Sequence, residues 1–331
     1  MDTSNVEYIN KLINDPTTPL INRAFNEKRA PGSTFKMISA VTALETGIVD
    51  KNFQVYDEVL FEDASFPPAS CWNLSGHGYV DLVKAVEVSC NYYFFRTIYM
   101  LGNAKDGNKY NSIEHLNKYM AEFGLNEKSG VEIGEADSIM SSPEYKKIKY
   151  PDDFDWADGD TIRTAIGQYL NNYTPAVLAK YIATVANKGD RYKLHFLDRI
   201  ESSNGVMTEK VEPVVENYVD IQDSTWDTIY EGMLQVTVGN NGTARRIFSD
   251  FPIEIGGKTG TAQESAIRKD HTSFGGFAPY DNPEIAIYVA IPFGDTKGTP
   301  AAASEVAREI IGKYMGLDSK VEYPVQTNSL A

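Results

Sequence analysis

Apolar residues recur every three or four positions in several stretches of the chain, which is the spacing of one face of an α-helix. The clearest stretch begins at Pro31-Gly32 and ends at Gly47. Its apolar positions are Phe35, Ile38, Val41 and Leu44. We therefore predict a helix here, with Ser33 in its first turn.

The same spacing predicts further helices along the chain. One begins after Asp81, which can cap the free amides of a first turn, and it pauses at Ser89-Cys90-Asn91 before a more apolar helix. Two turns of helix fit residues 6–13, and residues 158–189 are interpreted as a turn followed by a helix. The remaining predicted helices span 226–238 and 301–315.

The pattern changes to short apolar runs separated by turn residues near the end of the chain. Residues 253–262, 273–278 and 285–291 predict an antiparallel meander, and residues 54–72 predict a hairpin. The fold class is therefore α/β of the α+β kind, with an antiparallel sheet flanked by helices plus an all-helical lobe.

Composition narrows the function classes. The chain has 331 residues, 42% hydrophobic and 23% charged, which is typical of one large globular domain or two interleaved lobes. A net charge of -15 argues against a nucleic-acid partner, because that partner needs a basic face. We see no run of about 20 apolar residues and no signal sequence, so the chain as it stands is expected to be soluble.

Three short motifs carry the chemistry. They are Ser33-Thr34-Phe35-Lys36, Ser89-Cys90-Asn91 and Lys258-Thr259-Gly260, in that order. Taken singly, they also fit a helix cap, a polar helix break and a solvated edge strand. Together they form the active-site set of the penicillin-recognising serine acyl-transfer enzymes.

The first motif supplies a nucleophile and a base. Ser33 and Lys36 are three residues apart, so they share a helix face and the amine can approach the hydroxyl. A lysine is a base only when its pKa lies below the usual value, so burial and a neighbouring cation, Lys258, must lower it.

The other two motifs bind and orient the substrate. Ser89 can relay a proton to the leaving group and Asn91 can hold a substrate amide. Lys258 with the hydroxyls of Thr259 and Thr261 can receive a carboxylate, and Gly260 leaves room for a substrate beside the strand. The backbone amides of Ser33 and Thr261 are candidate oxyanion donors.

The chain resembles the transpeptidase domain of class B penicillin-binding proteins from about residue 19 to residue 315. The segments that carry the resemblance, besides the three motifs, are Pro19-Leu20-Ile21-Asn22-Arg23-Ala24, Gly76-His77-Gly78, Ala165-Ile166-Gly167-Gln168, Tyr173-Thr174-Pro175 and Gly275-Gly276-Phe277-Ala278-Pro279.

The resemblance implies a five-stranded sheet and an enzyme that cross-links peptidoglycan stem peptides, is acylated by β-lactam antibiotics and needs no cofactor for acyl transfer. It also implies work at the extracytoplasmic face of the bacterial membrane, where upstream regions anchor the full-length protein and contact the cell-wall synthesis machinery. Residues 1–331 are interpreted as one transpeptidase domain with an entry segment at 1–30. The upstream strands, pedestal and anchor of the family are expected to lie outside it.

Other activities remain open on the same scaffold. A β-lactamase would need a deacylating base, and no Glu-x-x-x-Asn segment stands where class A enzymes have one. A D,D-carboxypeptidase differs only in its acceptor. A β-lactam sensor domain would be acylated and would signal instead of turning over.

Two cysteines depart from the family pattern. Cys71, His77 and Cys90 offer two thiolates and an imidazole, and Asp57, Asp63 or Asp81 can complete a tetrahedral site for a structural Zn²⁺, with Asp57 as the chosen fourth ligand. A Cys71–Cys90 disulfide and two buried free thiols are the alternatives.

Overall fold

The computed structural model describes residues 3–64, 68–103, 108, 110–262, 270–294 and 301–317. Its α-helices are listed here in chain order: α1 Thr3–Ile13, α2 Arg23–Asn26, α3 Lys36–Glu45, α4 Leu82–Glu87, α5 Asn91–Gly102, α6 Asn111–Glu122, α7 Pro143–Lys149, α8 Asp158–Ala165, α9 Pro175–Ala186, α10 Asp223–Val238, α11 Arg245–Phe248 and α12 Ala302–Tyr314. A 3-10 turn, Gly32–Phe35, precedes α3.

The strands are short except near the end of the chain. They are β1 Val55–Asp57, β2 Leu60–Phe61, β3 Ala69–Ser70, β4 Gly78–Val80, β5 Asp190–Tyr192, β6 Arg199–Glu201, β7 Met207–Lys210, β8 Val215–Tyr218, β9 Gly256–Ala262, β10 His271–Ala278 and β11 Ile285–Ile291. The short strands form the antiparallel pairs β1–β4, β2–β3, β5–β8 and β6–β7.

The main sheet of the described residues has three antiparallel strands in the order β11-β10-β9. At its centre Gly275 on β10 lies opposite Lys258 on β9 and Tyr288 on β11. Helices α9 and α12 pack on β10 and β11, and α10 packs on β9. The predicted meander and the α+β class are thus confirmed, whereas the five-stranded sheet is three strands in the described part of the chain.

A helical lobe packs beside this sheet. Helix α3 is buried along almost its whole length and contacts α5, α6 and α10. Helix α5 carries the buried aromatic residues Tyr92, Tyr93, Phe94 and Phe95. The core is continuous from this lobe to the sheet, because the same buried cluster includes Phe274 and Phe277 of β10.

The structure corrects several sequence expectations. Ser33 lies in the 3-10 turn, not in an α-helical turn. The segment at 158–165, expected as a turn, is helix α8. The Asp160 carboxylate stabilises its first turn by accepting a hydrogen bond from the backbone amide of Ala157. Only β2 and β3 form a hairpin within residues 54–72, since β1 pairs with β4 further along the chain.

The predicted start of α4 and the break at Ser89 and Cys90 are confirmed, whereas Asn91 is already the first residue of α5. Asp81 caps α4 by accepting from the backbone amide of Lys84, and the chain breaks between α4 and α5 at Ser89 and Cys90. Within the described residues, no helix combines the length and apolar character that a membrane crossing requires.

Candidate active site

The turn that carries Ser33 is wedged against strand β9. Gly32 has a φ of +56°, and a Cβ built on it would lie 2.3 Å from the Thr261 carbonyl oxygen. Only glycine tolerates both this backbone conformation and this distance. The first and third motifs are therefore in direct backbone contact.

Two further elements fix the turn from the other side. The amide of Gly32 donates to the Gly167 carbonyl at 3.0 Å, and the Tyr181 hydroxyl donates to the Thr34 carbonyl at 3.2 Å. A Cβ on Gly167 would lie 2.2 Å from the Gly32 carbonyl oxygen. The Ile166-Gly167-Gln168 segment thus acts as a backbone support for the Ser33 turn.

Lys36 connects the first motif to the second. Its side chain is fully buried, and its Nζ donates to the Ser89 carbonyl at 2.8 Å and to Asn91 Oδ1 at 2.7 Å. The Ser89 hydroxyl lies 3.2 Å from the same nitrogen. Three of the predicted site residues therefore meet at one amine.

The local sequence explains why the second motif faces Lys36. Ser89 has a φ of +56°, which turns the chain between α4 and α5. Cys90 is the N-cap of α5, and its sulfur accepts from the amide of Tyr93 at 3.4 Å. The Cys90 sulfur also lies 3.9 Å from the Cys71 sulfur and 3.5 Å from Asp57 Oδ2.

The spacing of Ser33 and Lys36 predicts that the amine can approach the hydroxyl. Among the described residues, no hydrogen bond joins the Ser33 hydroxyl to the Lys36 amine. The amine has instead the Ser89 carbonyl and the Asn91 side chain as its closest acceptors.

The third motif lies on strand β9, beside the Ser33 turn. Lys258 is fully buried, and its Nζ donates to the Thr259 carbonyl at 3.3 Å. Thr261 is exposed and Thr259 is half-buried. A Cβ on Gly260 would lie 2.9 Å from the Pro31 carbonyl oxygen, so glycine is needed here for packing against the Ser33 turn.

The two buried amines influence each other. Burial lowers the pKa of Lys36 to about 8. Burial and then the charge of Lys36 lower the pKa of Lys258 well below its usual value. The sequence interpretation had Lys258 as the cation that lowers the pKa of Lys36. The charge of Lys36 lowers the pKa of Lys258, whereas the charges of Cys71 and Cys90 raise the pKa of Lys36 against the larger effect of burial.

Two residues outside the motifs touch the site. The Thr243 hydroxyl lies 2.7 Å from the Thr259 hydroxyl, and the exposed Trp72 donates its indole N–H to the Ser89 carbonyl at 3.1 Å. Sequence reasoning missed both. The turn residues of Gly239-Asn240-Asn241-Gly242 mark a loop before Thr243, but nothing local ties that loop to β9.

The cysteine and histidine residues of the predicted metal site do come together. Ligand atoms of Asp57, Cys71, His77 and Cys90 all lie within 4.8 Å of one another. The other two candidates are used elsewhere: Asp63 pairs with Arg96, and Asp81 caps α4. Of the three carboxylates that the sequence offered, Asp57 is the one at the cluster.

The distances in the cluster show whether the two cysteines are joined by a disulfide. The sulfurs of Cys71 and Cys90 are 3.9 Å apart, so both thiols are free. Cys71 Sγ lies 3.5 Å from His77 Nδ1, and Cys90 Sγ lies 3.5 Å from Asp57 Oδ2. The structure thus holds two buried thiols and no disulfide at this position.

The cluster favours one thiolate. The hydrogen bond between the two sulfurs lowers the pKa of Cys71 and raises the pKa of Cys90. Burial alone would lower the pKa of His77, but its bonds to Cys71 and Asp57 raise it above the ordinary value. A deprotonated sulfur next to imidazole and carboxylate is a typical metal-ligand environment.

Comparison with known proteins gives a consistent result. A family model described as the penicillin binding protein transpeptidase domain matches residues 2–312. The chain is 29% identical over 336 residues to the peptidoglycan D,D-transpeptidase MrdA of Escherichia coli strain K12. The alignment covers 97% of this chain and 51% of that protein. The chain therefore spans about half the length of this curated relative.

Two solved structures share the fold. Pseudomonas aeruginosa PBP2, solved in complex with WCK 5153, superposes with a TM-score of 0.80 at 30% identity, covering 97% of this chain and 66% of that chain. Helicobacter pylori PBP2, solved in complex with MreC, superposes with a TM-score of 0.77 at 25% identity, covering 94% and 54%. With the family match, these similarities show that the chain belongs to the transpeptidase domain family of the penicillin-binding proteins, among its class B members.

Proposed function

We propose that this chain is the catalytic part of a peptidoglycan D,D-transpeptidase that acts through an acyl-enzyme on Ser33. The observation that carries the proposal is the Lys36 amine, which is buried and bonded to Ser89 and Asn91 beside the Ser33 turn. A nucleophile, a base of lowered pKa and a cationic wall are the parts that acyl transfer needs.

The reaction begins with attack of the Ser33 oxygen on the carbonyl of the penultimate D-Ala of a stem peptide. Lys36 takes the hydroxyl proton, and the terminal D-Ala leaves with a proton relayed by Ser89. An amine of a neighbouring stem peptide then attacks the ester and releases Ser33. The backbone amides of Ser33 and Thr261 hold the negative oxygen of each tetrahedral intermediate.

Substrate binding itself prepares the base. The terminal carboxylate of the donor peptide binds near Lys258, Thr259 and Thr261, where it favours the charged form of Lys258. That charge then repels the proton on Lys36, so the amine becomes neutral when a donor is bound. Asn91 is placed to hold a substrate amide as Lys36 rotates towards Ser33.

The assay uses a synthetic stem peptide that ends in D-Ala-D-Ala, with and without an amine acceptor. We expect release of D-Ala and formation of a new amide only with acceptor, and loss of both in Ser33→Ala. Ser75→Ala is the matched control, because Ser75 is exposed and outside the site. Activity retained by Ser33→Ala would overturn the nucleophile assignment.

The same assay separates the alternatives. Release of D-Ala with water as the only acceptor of the acyl group would indicate a D,D-carboxypeptidase. Rapid loss of a fluorescent penicillin label would indicate a β-lactamase. Stable labelling without any release of D-Ala would indicate a β-lactam sensor.

A complete transpeptidase of this kind works with the membrane-bound cell-wall synthesis machinery at the extracytoplasmic face. The support for such partners is the solved complex of Helicobacter pylori PBP2 with MreC. Acylation by β-lactams is supported by the match to the penicillin binding protein transpeptidase family. Residues 1–331 serve as one catalytic domain in this proposal.

We also propose that Asp57, Cys71, His77 and Cys90 hold a structural Zn²⁺, which takes no part in acyl transfer. In a tetrahedral site, Zn–S bonds of about 2.3 Å and Zn–N bonds of about 2.0 Å place sulfurs about 3.8 Å apart and sulfur and nitrogen about 3.5 Å apart. The observed separations are 3.9 Å between the sulfurs and 3.5 Å from Cys71 Sγ to His77 Nδ1. Only the His77–Asp57 contact, at 2.7 Å, is shorter, because a hydrogen bond joins the two.

Metal analysis of the purified protein tests this site. We expect close to one zinc per chain, thiols that react only after chelation, and loss of zinc in His77→Ala. The matched control is His195→Ala, which changes a surface histidine. Zinc far below one per chain in protein grown with ample zinc would contradict the site.

A further inference from the structure

Two thiols lie side by side next to the catalytic residues. Cys71 directly follows β3, and Cys90 stands between Ser89 and Asn91. Their sulfurs are 3.9 Å apart, and both residues are at most 1% exposed. A disulfide between them would need a closing movement of about 1.8 Å, since its S–S bond is about 2.05 Å.

The residues that flank Cys71 are hydrogen-bonded to the residues that flank Cys90. The side-chain amide of Asn91 donates to the Ser70 carbonyl at 3.3 Å. The indole of Trp72 donates to the Ser89 carbonyl at 3.1 Å. A shift of either cysteine relative to the other therefore changes contacts at both Ser89 and Asn91.

These two residues are also the ones that hold Lys36. The Lys36 amine donates to the Ser89 carbonyl and to Asn91 Oδ1. In addition, the Cys90 sulfur caps α5 through the amide of Tyr93. A new bond to that sulfur therefore competes with the cap at the start of the helix that presents Asn91.

From these contacts we propose that Cys71 and Cys90 form a redox modification site, at which a reversible disulfide slows acyl transfer and prevents metal binding. The effect on acyl transfer rests on the function proposed above. The disulfide itself does not.

The oxidant is a hydroperoxide, of which hydrogen peroxide is the smallest. One sulfur attacks the peroxide, the O–O bond breaks, and a sulfenic acid forms. The second sulfur then attacks the sulfenic sulfur, and water leaves. For hydrogen peroxide the sum is two thiols and one H2O2 giving one disulfide and two waters, and a dithiol reductant restores both thiols.

The geometry sets the size of the effect. Misplacement of catalytic groups by about 1 Å costs up to about 100-fold in rate. We therefore expect the rate constant for acylation by a fluorescent penicillin to fall at least tenfold in the oxidised protein. A dithiol reductant restores it.

The experiment treats the purified chain, stripped of metal, with hydrogen peroxide. Intact mass should fall by two hydrogens, and proteolysis should yield a Cys71–Cys90 linked peptide pair. Cys71→Ser is the matched variant: each protein is compared with its own untreated sample, and only the wild type should lose acylation. No linked pair, or an equal loss in Cys71→Ser, would overturn the proposal.

Tryptophan emission separates this proposal from the acyl-transfer proposal. If the untreated wild type takes no penicillin label, the proposed function fails. The linked peptides then still test the disulfide, and the emission change still tests its coupling to Ser89. We expect oxidation to change tryptophan emission in the wild type and not in Trp72→Phe, because the Trp72 indole donates a hydrogen bond to the Ser89 carbonyl. Linked peptides without that difference would refute the coupling.

Discussion

The amine of Lys36 donates a 2.7 Å hydrogen bond to the side-chain oxygen of Asn91, 55 residues further along the chain. This bond joins the first motif to the second inside a buried site. It stabilises the ammonium form of Lys36, while burial opposes that form. The protonation of the proposed base is therefore set by both motifs together.

Removal of the Lys36 amine should abolish acylation. Lys36→Ala and Lys36→Met both remove the base, and Met keeps most of the buried volume. A general base contributes about 10²- to 10⁴-fold in rate, and we expect a loss in this range for a fluorescent penicillin. Lys51→Ala, on the exposed segment after α3, is the control. Normal labelling of the Lys36 variants would remove Lys36 from the mechanism.

The acylation rate should rise with pH. Lys36 acts as a base only when neutral, and its pKa is lowered to about 8, so the rate constant at low penicillin concentration climbs through about pH 8 and then levels. Asn91→Asp adds a carboxylate that raises the pKa of Lys36 and moves the rise to higher pH. Asn91→Ala removes an acceptor and moves it to lower pH. A profile with the same midpoint in all three proteins would contradict this linkage.

A methyl group on Gly32 should separate the Ser33 turn from β9. It would meet the Thr261 carbonyl at 2.3 Å on a backbone with φ of +56°, so we expect Gly32→Ala to lower acylation at least tenfold. Gly47→Ala is the control, since Gly47 has a φ of +68° and nothing within 4 Å of its added Cβ.

Denaturant unfolding accompanies both glycine variants. Gly47→Ala should lose about 1 kcal/mol from backbone strain alone and should keep full acylation. Gly32→Ala should lose more, because strain and overlap add. Equal acylation in the two variants would show that the contact between the turn and β9 is not needed.

Loss of the Lys258 amine should weaken binding more than chemistry. A hydrogen bond to a charged group contributes about 1.5–3 kcal/mol, so Lys258→Ala should raise the half-saturating penicillin concentration about 10- to 100-fold. The saturated acylation rate should change little at pH 9, where Lys36 is already largely neutral. A large fall in that saturated rate with unchanged half-saturation would contradict the carboxylate role.

Local signals in the sequence were sufficient to predict helix α3, the start of α4 and the strands of the main sheet. The Asp81 cap, the apolar spacing of α3 and the strand runs of β9, β10 and β11 each depend on neighbouring residues, and all were predicted. What the sequence did not predict are contacts between distant segments. Pairing of β1 with β4 depends on how the chain folds back against β1 after Cys71. The hydrogen bond from Trp72 to the Ser89 carbonyl depends on the same tertiary arrangement.

The same distinction holds inside the site. The three motifs indicated which residues would meet, and the spacing of Cys71, His77 and Cys90 indicated a cluster. Tertiary packing decides which of Asp57, Asp63 and Asp81 lies beside the two thiols, and it is Asp57. The hydrogen bonds of the Lys36 amine go to Ser89 and Asn91, and helix spacing within the first motif cannot reveal these partners.

Mass spectrometry of the acylated chain tests the central claim most directly. After brief exposure to benzylpenicillin, intact mass should increase by one penicillin, and proteolysis should map that addition to Ser33, with no addition in Ser33→Ala. An adduct on another residue, or an undiminished adduct in Ser33→Ala, would contradict acyl transfer through Ser33.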